Sequence, residues 1–130
     1  MLLHFVEMAK SPTAVFAVHN AFLREQILAK GHEVLAMNTG VIGAAEVFPV
    51  DIDADEVATA GGSFLAALRA AGDRGAAMKA MSEGSAVVAK RLHDEGRFDG
   101  IVGMGGSGGS SVVTAAMRAL PVGVPKVCVS

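Results

Sequence analysis

The segment that most constrains the fold of this chain is a run of glycines and serines between an apolar stretch and a helical pattern. Ile101 and Val102 lead directly into Gly103–Ser111, which holds five glycines and three serines. Val112–Leu120 then has the spacing of an amphipathic helix. A strand, a glycine loop and a helix in this order aim backbone N–H groups at one point, where the helix dipole favours an anion. The segment therefore predicts a phosphate site.

The predicted phosphate cradle uses the backbone and hydroxyl groups of this loop. The spacing from Gly103 to Gly108 satisfies G-x-G-x-x-G, but no acidic residue follows about 20 residues later, as a dinucleotide site requires. No Lys-Ser or Lys-Thr pair closes a P-loop either. Phosphate binding is therefore favoured over a nicotinamide dinucleotide, and a tight turn with close helix packing is the structural alternative. The predicted cradle residues are Gly103, Gly105, Gly106, Ser107, Gly108, Gly109 and Ser110.

Composition limits the classes of protein to which the chain can belong. Its 130 residues suit one domain, and a hydrophobic content of 52% supports a sizeable core. A net charge of −2 without a basic run argues against nucleic-acid binding, and no apolar run reaches the length of a membrane span. The single cysteine, Cys128, excludes an internal disulfide and is expected to be a buried strand residue. With no signal peptide recognised at the start, a cytoplasmic location is predicted.

Apolar runs and helical patterns alternate along the chain, which predicts an α/β fold. We expect a three-layer, Rossmann-like domain with a mostly parallel sheet over residues 13–130, following an irregular lead-in over residues 1–12. This partial nucleotide-binding domain is expected to be a fragment of a longer two-domain protein. The predicted strands are Thr13–Val18, Glu33–Met37, Asp99–Val102 and Pro125–Ser130, and the predicted helices are Ala21–Lys30, Asp55–Ala60, Ser63–Ala71, Ala76–Glu95 and Val112–Leu120.

Further candidate site residues lie where strands end and helices begin. Asn38, Thr39 and Gly40 follow the second predicted strand, where open parallel sheets place ligands. Asp73 is a natural N-cap, and Arg74 beside it could pair with a phosphate or simply be an exposed arginine.

A histidine and a group of acidic residues are further candidates. His19 ends the first predicted strand and is a candidate to face the ligand. The acids Asp51, Asp53 and Asp55 are more typical of a solvated loop than of a metal site, because no calcium-loop pattern follows them. Within the long fourth helix, Gly84 predicts the close approach of a neighbouring element.

Three segments are informative when taken together: Asp73-Arg74-Gly75, the run from Asp99 to Gly109, and the run from Ala115 to Val127. They closely resemble the ATP-binding domain family typified by the tomato mosaic virus resistance protein, which has many uncharacterised bacterial members. Gly31–Leu35 and Asn38–Val41 also fit the family's second strand and loop. The resemblance implies a Rossmann-like domain that binds ATP, with or without Mg²⁺, at Gly105–Ser110 with Asp73 and Arg74 close by.

The chain departs from that family after its first predicted strand. Family members carry a Thr-Leu-Asp-Thr-Lys-Gly-like loop there, whereas Val18–Ala21 runs almost directly into a helix. A shortened loop is therefore expected at this point. No catalytic residues are identified in this sequence. Weak nucleotide hydrolysis remains an alternative for the full-length protein. The alternative function is a protein interaction module or homo-oligomer in which nucleotide binding is weak or lost.

Overall fold

The computed structural model describes residues 2–6, 15–42 and 48–130, with side chains from residue 19 onward. Within these ranges the strands are β1 (Leu2–Val6), β2 (Val34–Asn38), β3 (Gly100–Met104) and β4 (Lys126–Val129). The helices are α1 (Val15–Ala29), α2 (Ala54–Ala60), α3 (Leu65–Ala71), α4 (Arg74–Asp94) and α5 (Ser107–Ala119). In these ranges no helix combines the length and the apolar character needed to cross a membrane.

The four strands form one small parallel sheet in the order β2-β1-β3-β4. Leu3 pairs with Leu35 on one side and with Ile101 on the other, so β1 lies between β2 and β3. Leu35 and Ile101 are buried, as expected for the short apolar runs of a parallel sheet. The arrangement is compatible with the predicted α/β class, and the predicted parallel pairing is confirmed. All four carboxyl ends lie at the same edge of the sheet.

Small residues allow the helices to pack closely. A Cβ atom at Gly84 of α4 would lie 1.9 Å from the carbonyl oxygen of Val57 in α2, which confirms the predicted close approach. Ser85, fully buried beside it, shares its one hydroxyl proton between the carbonyl oxygens of Ser82 at 3.0 Å and Val112 at 3.3 Å. Helices α2, α4 and α5 therefore pack as one group. This packing sets the position of the amino-terminal ends of α4 and α5 relative to each other.

The amino-terminal part of the chain differs from the prediction. The irregular lead-in predicted for residues 1–12 is wrong at Leu2–Val6, which form β1 inside the sheet. The strand predicted at Thr13–Val18 is also wrong, because residues 15–18 begin helix α1. A short continuous apolar run does not reveal whether its period is that of a strand or of a buried helix, and here the helix extends back through it. Residues 7–14 lie outside the described part of the chain.

Strand β4 lies at the edge of the described sheet and has a largely exposed apolar surface. Val127 and Val129 are 54% and 46% exposed, and Cys128 is exposed as well. The expectation that Cys128 is buried is therefore wrong: the described helices leave this strand largely uncovered. Lys126 donates from Nζ to the carbonyl oxygens of Pro121 at 2.8 Å and Val124 at 3.1 Å. Its ammonium group is thus held against its own turn and does not protect the edge as lysines on edge strands often do.

We expect a lysine placed on β4 to reduce self-association of this chain. Val129→Lys introduces a charge on the exposed edge, where it opposes strand addition and aggregation. The matched control is Val122→Lys, which adds the same charge at a fully exposed position outside the strand. Static light scattering over a concentration series measures the effect. An equal reduction in both variants would show that net charge, and not the strand edge, governs association.

Candidate functional site

A cavity of about 400 Å³ opens at the carboxyl edge of the sheet. Its wall is built from the turn after β2, the end of α3 and the first turns of α4 and α5. Side chains and backbone meet here because parallel strands all end at this edge, where ligands of open α/β sheets bind. The volume lies within the range of small-molecule sites.

The turn after β2 is held in place by two hydrogen bonds. Asn38 accepts at Oδ1 from the backbone N–H of Gly40 at 2.9 Å. Arg69, near the end of α3, donates from Nε to the carbonyl oxygen of Val41 at 2.6 Å. Thr39 lies between these two anchors, lines the cavity and is only 7% exposed. The position of Thr39 is therefore fixed by the surrounding backbone before any ligand arrives.

The first turn of α4 brings a cation to the cavity. Asp73 is the N-cap, as predicted, and its side chain accepts from the backbone N–H of Ala76 at 3.1 Å. Arg74 follows it, and its Nη2 lies 3.4 Å from where a Cβ atom of Gly108 would be. The Arg74 guanidinium therefore lies beside the first turn of α5. Arg74 makes no ion pair with any residue that the structure describes.

Helix α5 begins earlier than predicted. It starts at Ser107 and not at Val112, so most of the predicted loop forms the first turns of the helix. Gly106 is the N-cap and supplies no side-chain hydrogen bond to the helix end. The backbone N–H of Ser110 donates to the Gly106 carbonyl oxygen at 2.8 Å. The three preceding N–H groups, those of residues 107–109, have no intrahelical acceptor, which leaves them available to an anion.

The serine hydroxyls of this region serve the helix itself. Ser110 donates from Oγ to the carbonyl oxygen of Gly105 at 3.1 Å. Ser111 donates from Oγ to the carbonyl oxygen of Ser107 at 2.9 Å. Each hydroxyl has one proton, so these two side chains brace the first turn, and the N–H groups remain as the free donors of the helix end.

The structure brings together residues from three separate parts of the sequence. The predicted residues that line the cavity are Thr39, Gly40, Asp73, Arg74, Gly108 and Gly109. Those that do not line it are Asn38, Gly103, Gly105, Gly106, Ser107, Ser110 and His19. The absent members include Gly103, which lies within β3 and allows close packing, since a Cβ there would be 2.4 Å from Val113 Cγ1.

Two expectations near the start of the chain are wrong. His19 does not end a strand; it lies within α1 and is exposed. The shortened loop expected at Val18–Ala21 is also misplaced, because these residues are helical. The connection that follows the first strand is residues 7–14, which the structure does not describe.

Sequence reasoning missed the apolar wall of the cavity and its second arginine. The wall includes Leu68, Met78, Met81 and Val112, and Arg69 lies at its rim. The methionines recur at helical spacing, which is typical of core residues and does not indicate a cavity wall. No local pattern distinguishes Arg69 from an exposed arginine in the last turn of a helix, because its role depends on where α3 packs.

The cavity combines a positive end with an apolar wall. Arg69 and Arg74 outnumber the single lining carboxylate, Asp73, which is engaged at its helix cap. The dipole of α5 adds partial positive charge at the exposed N–H groups. The arrangement therefore suits a small molecule with an anionic group at one end and an apolar part at the other.

The acidic residues away from the cavity have structural roles. Asp51 accepts at Oδ2 from the Ala36 backbone N–H at 2.7 Å, and Asp53 caps α2 by accepting from Glu56 N–H at 2.8 Å. A hydrogen bond from Lys90 holds the pKa of the exposed Asp94 carboxyl below its ordinary value. Across residues 2–6, 15–42 and 48–130, no group of three acidic, histidine or cysteine side chains is arranged to hold a metal ion.

A family model and two bacterial relatives place this chain in the same family. Residues 18–130 match the Uncharacterised protein family (UPF0261) N-terminal domain. A UPF0261 protein of Clostridium tetani is 47% identical over 109 residues, which are 84% of this chain and 27% of that protein. UPF0261 protein mlr3387 of Mesorhizobium japonicum is 40% identical over 85% of this chain and 26% of its own length. The ToMV resistance protein Tm-1(GCR237) of Solanum lycopersicum is 42% identical over 57 residues, 44% of this chain and 8% of that protein. The chain thus spans about a quarter of the length of the bacterial relatives named here.

Proposed function

This chain belongs to the family of the UPF0261 N-terminal domain, and we propose that its cavity binds a nucleotide, ATP foremost. The observation that carries the proposal is the contact between the Arg74 guanidinium and the first turn of α5, with Nη2 3.4 Å from the Gly108 Cβ position. An arginine and a helix N-terminus at one point create a site that favours a phosphate group.

The rest of the cavity supports a nucleotide over a free phosphate. Leu68, Met78 and Val112 provide apolar surface in the same cavity, and the heterocyclic base of a nucleotide would cover such surface. The parallel strand order β2-β1-β3-β4 supports a three-layer, Rossmann-like domain of the kind that binds nucleotides at its carboxyl edge. The only carboxylate in the described wall, Asp73, caps α4, so Mg²⁺ would be held chiefly by the phosphates themselves.

Nucleotide binding predicts stabilisation of the folded chain by ATP. At a free ATP concentration 100 times Kd, the free energy of unfolding should rise by about 2.7 kcal/mol.

Arg74→Gln should weaken ATP binding by about 10- to 100-fold, because it removes a charge-assisted hydrogen bond worth about 1.5–3 kcal/mol. Thermal unfolding with ATP, ADP and Mg²⁺, followed by calorimetric titration, measures both effects.

The matched control is Arg118→Gln, at an exposed arginine in the last turn of α5. It removes the same charge at the far end of the same helix and should leave ATP affinity unchanged. If millimolar ATP fails to stabilise a folded wild-type chain, the proposal is wrong. If both arginine variants weaken ATP equally, binding depends on overall charge and not on this cavity.

A further inference from the structure

Met78 places a thioether sulfur at the positive end of the cavity. It lies one turn after Arg74 on α4, and its Sδ and Cε atoms lie 3.5 Å and 3.7 Å from where a Cβ atom of Gly108 would be. Arg74 Nη2 lies 3.4 Å from the same point. Because Gly108 has no side chain, the thioether and the guanidinium flank an open position beside the free N–H groups of α5.

Among the methionines that the structure describes, Met78 combines solvent access with a place in the cavity wall. It is half-buried and lines the cavity. Met81 lines the cavity too but is 1% exposed, and Met37 and Met117 are also buried. Met104 is half-buried but does not line the cavity. A small oxidant that enters the cavity from water therefore reaches the Met78 sulfur before the buried ones.

Oxidation by a peroxide would turn this apolar atom into a polar group. The sulfur attacks one oxygen of hydrogen peroxide, the O–O bond breaks, an S–O bond forms, and the other oxygen leaves as water. Sulfur is oxidised by two electrons and the peroxide is reduced by two. The product, methionine sulfoxide, is polar, and its oxygen accepts hydrogen bonds.

A sulfoxide oxygen at this position competes with a phosphate for the same donors. The methionine side chain has three rotatable bonds, and Arg74 makes no ion pair with any residue in the described ranges. Both side chains can therefore adjust until the oxygen accepts from the guanidinium or from an N–H group of α5. The new polar group also interrupts the apolar wall that Leu68 and Val112 continue.

We propose that Met78 is an oxidation-sensitive site, and that its conversion to the sulfoxide by a peroxide lowers the affinity of the cavity for a nucleotide. The effect on affinity rests on the proposed function, whereas the preferential oxidation of Met78 does not. Methionine sulfoxide is reduced enzymatically, so the change is reversible. The chain would bind its ligand under reducing conditions and release it when peroxide accumulates.

The test treats the folded protein with hydrogen peroxide and follows each methionine by peptide mass spectrometry. Cys128→Ser is the parent protein, because the exposed Cys128 thiol would otherwise react as well. We expect Met78 to be oxidised before the buried methionines, and ATP to slow its oxidation by linkage. Complete oxidation of Met78 should weaken ATP binding about tenfold or more, because a charge-assisted contact to phosphate is lost. Treatment with methionine sulfoxide reductases should restore the affinity.

The matched variants are Met78→Leu and Met104→Leu, each compared with its own untreated form. Met78→Leu removes the sulfur, so peroxide should no longer change the ATP affinity of this variant, whatever its starting value. Met104→Leu keeps Met78 and should lose affinity on oxidation as the parent does. Met78→Gln introduces a polar side chain without oxidation and should bind ATP more weakly than Met78→Leu.

The outcomes separate this inference from the proposed function. If ATP binds the untreated parent and its affinity is unchanged after complete oxidation of Met78, the inference is wrong and nucleotide binding stands. If the buried methionines react as fast as Met78, or if oxidised Met78→Leu loses affinity as the parent does, Met78 is not the sensitive site.

Two further results would also count against it. If circular dichroism shows that the oxidised protein has unfolded, affinity falls through loss of the fold, and the inference is wrong. If ATP does not bind the untreated parent, the proposed function fails and the effect on affinity fails with it, whereas mass spectrometry still decides whether Met78 is the reactive methionine.

Discussion

Replacing Gly84 with alanine is expected to destabilise the folded chain by about 3 kcal/mol, the upper part of the range for overpacking a close contact. The new Cβ atom would lie 1.9 Å from the Val57 carbonyl oxygen, so it would clash with the backbone of α2. Since no side chain can rotate away, α2 and α4 must move apart. The higher helix propensity of alanine offsets only about 1 kcal/mol of this loss. Urea denaturation of the two proteins measures the difference.

The same contact can be tested from its other side. A Cβ atom at Gly61, the C-cap of α2, would lie 2.0 Å from the carbonyl oxygen of Ala80 in α4. Gly61→Ala should therefore destabilise the protein to a similar degree. Because either substitution separates the same two helices, the double variant should lose less stability than the sum of the single variants. Full additivity would show that the two glycines do not share one contact.

Gly75 in the first turn of α4 is the matched control. Its Cβ position meets only the Asp73 Oδ1 atom, at 3.3 Å, and this capping oxygen would have to move by only a few tenths of an ångström. Gly75→Ala should therefore be neutral or slightly stabilising. A loss of stability equal to that of Gly84→Ala would mean that glycine flexibility, and not the approach of α2, explains the effect at Gly84.

The α2–α4 contact also shows why part of the cavity could not be predicted from the sequence. Gly84 predicted that a neighbouring element approaches α4 closely, but the local spacing of residues did not identify that element as α2. Helix α3 follows α2 directly, so the placement of Leu68 and Arg69 depends on how α2 packs against α4. Their presence in the cavity wall is a consequence of tertiary packing.

By contrast, the meeting of Thr39, Arg74 and Gly108 was within reach of sequence reasoning. Thr39 follows a strand, and the other two lie in the first turns of helices, and these positions converge at the carboxyl edge of a parallel sheet. The start of α5 was missed because glycine and serine are poor helix formers. Packing overrides that propensity: Gly109 and Val112 are buried within the first two turns. The strand β1 was missed because five residues are too few to show a period.

Gly106→Asp is expected to raise the stability of the free protein and to abolish its response to ATP. Gly106 is the exposed N-cap of α5 in an extended conformation, and nothing lies within 4 Å of its Cβ position. Aspartate is a favoured N-cap that would accept from the open N–H groups, which should add about 0.5–1 kcal/mol. The same carboxylate occupies the donors proposed for phosphate and repels it, and like charges in contact oppose binding by several kcal/mol. Calorimetric titration should show ATP affinity at least about 100-fold weaker.

The neutral variant Gly106→Asn separates charge from occupancy of the N–H groups. Asparagine caps the helix in the same way but carries no charge, so it should weaken ATP binding less than aspartate does. Opposite changes in stability and affinity in Gly106→Asp cannot arise from misfolding, because a misfolded chain would lose both. If Gly106→Asp is more stable and ATP stabilises it as fully as the wild type, the phosphates do not lie at α5. The cavity would then have to take its ligand through Arg69 and the turn at Thr39 instead.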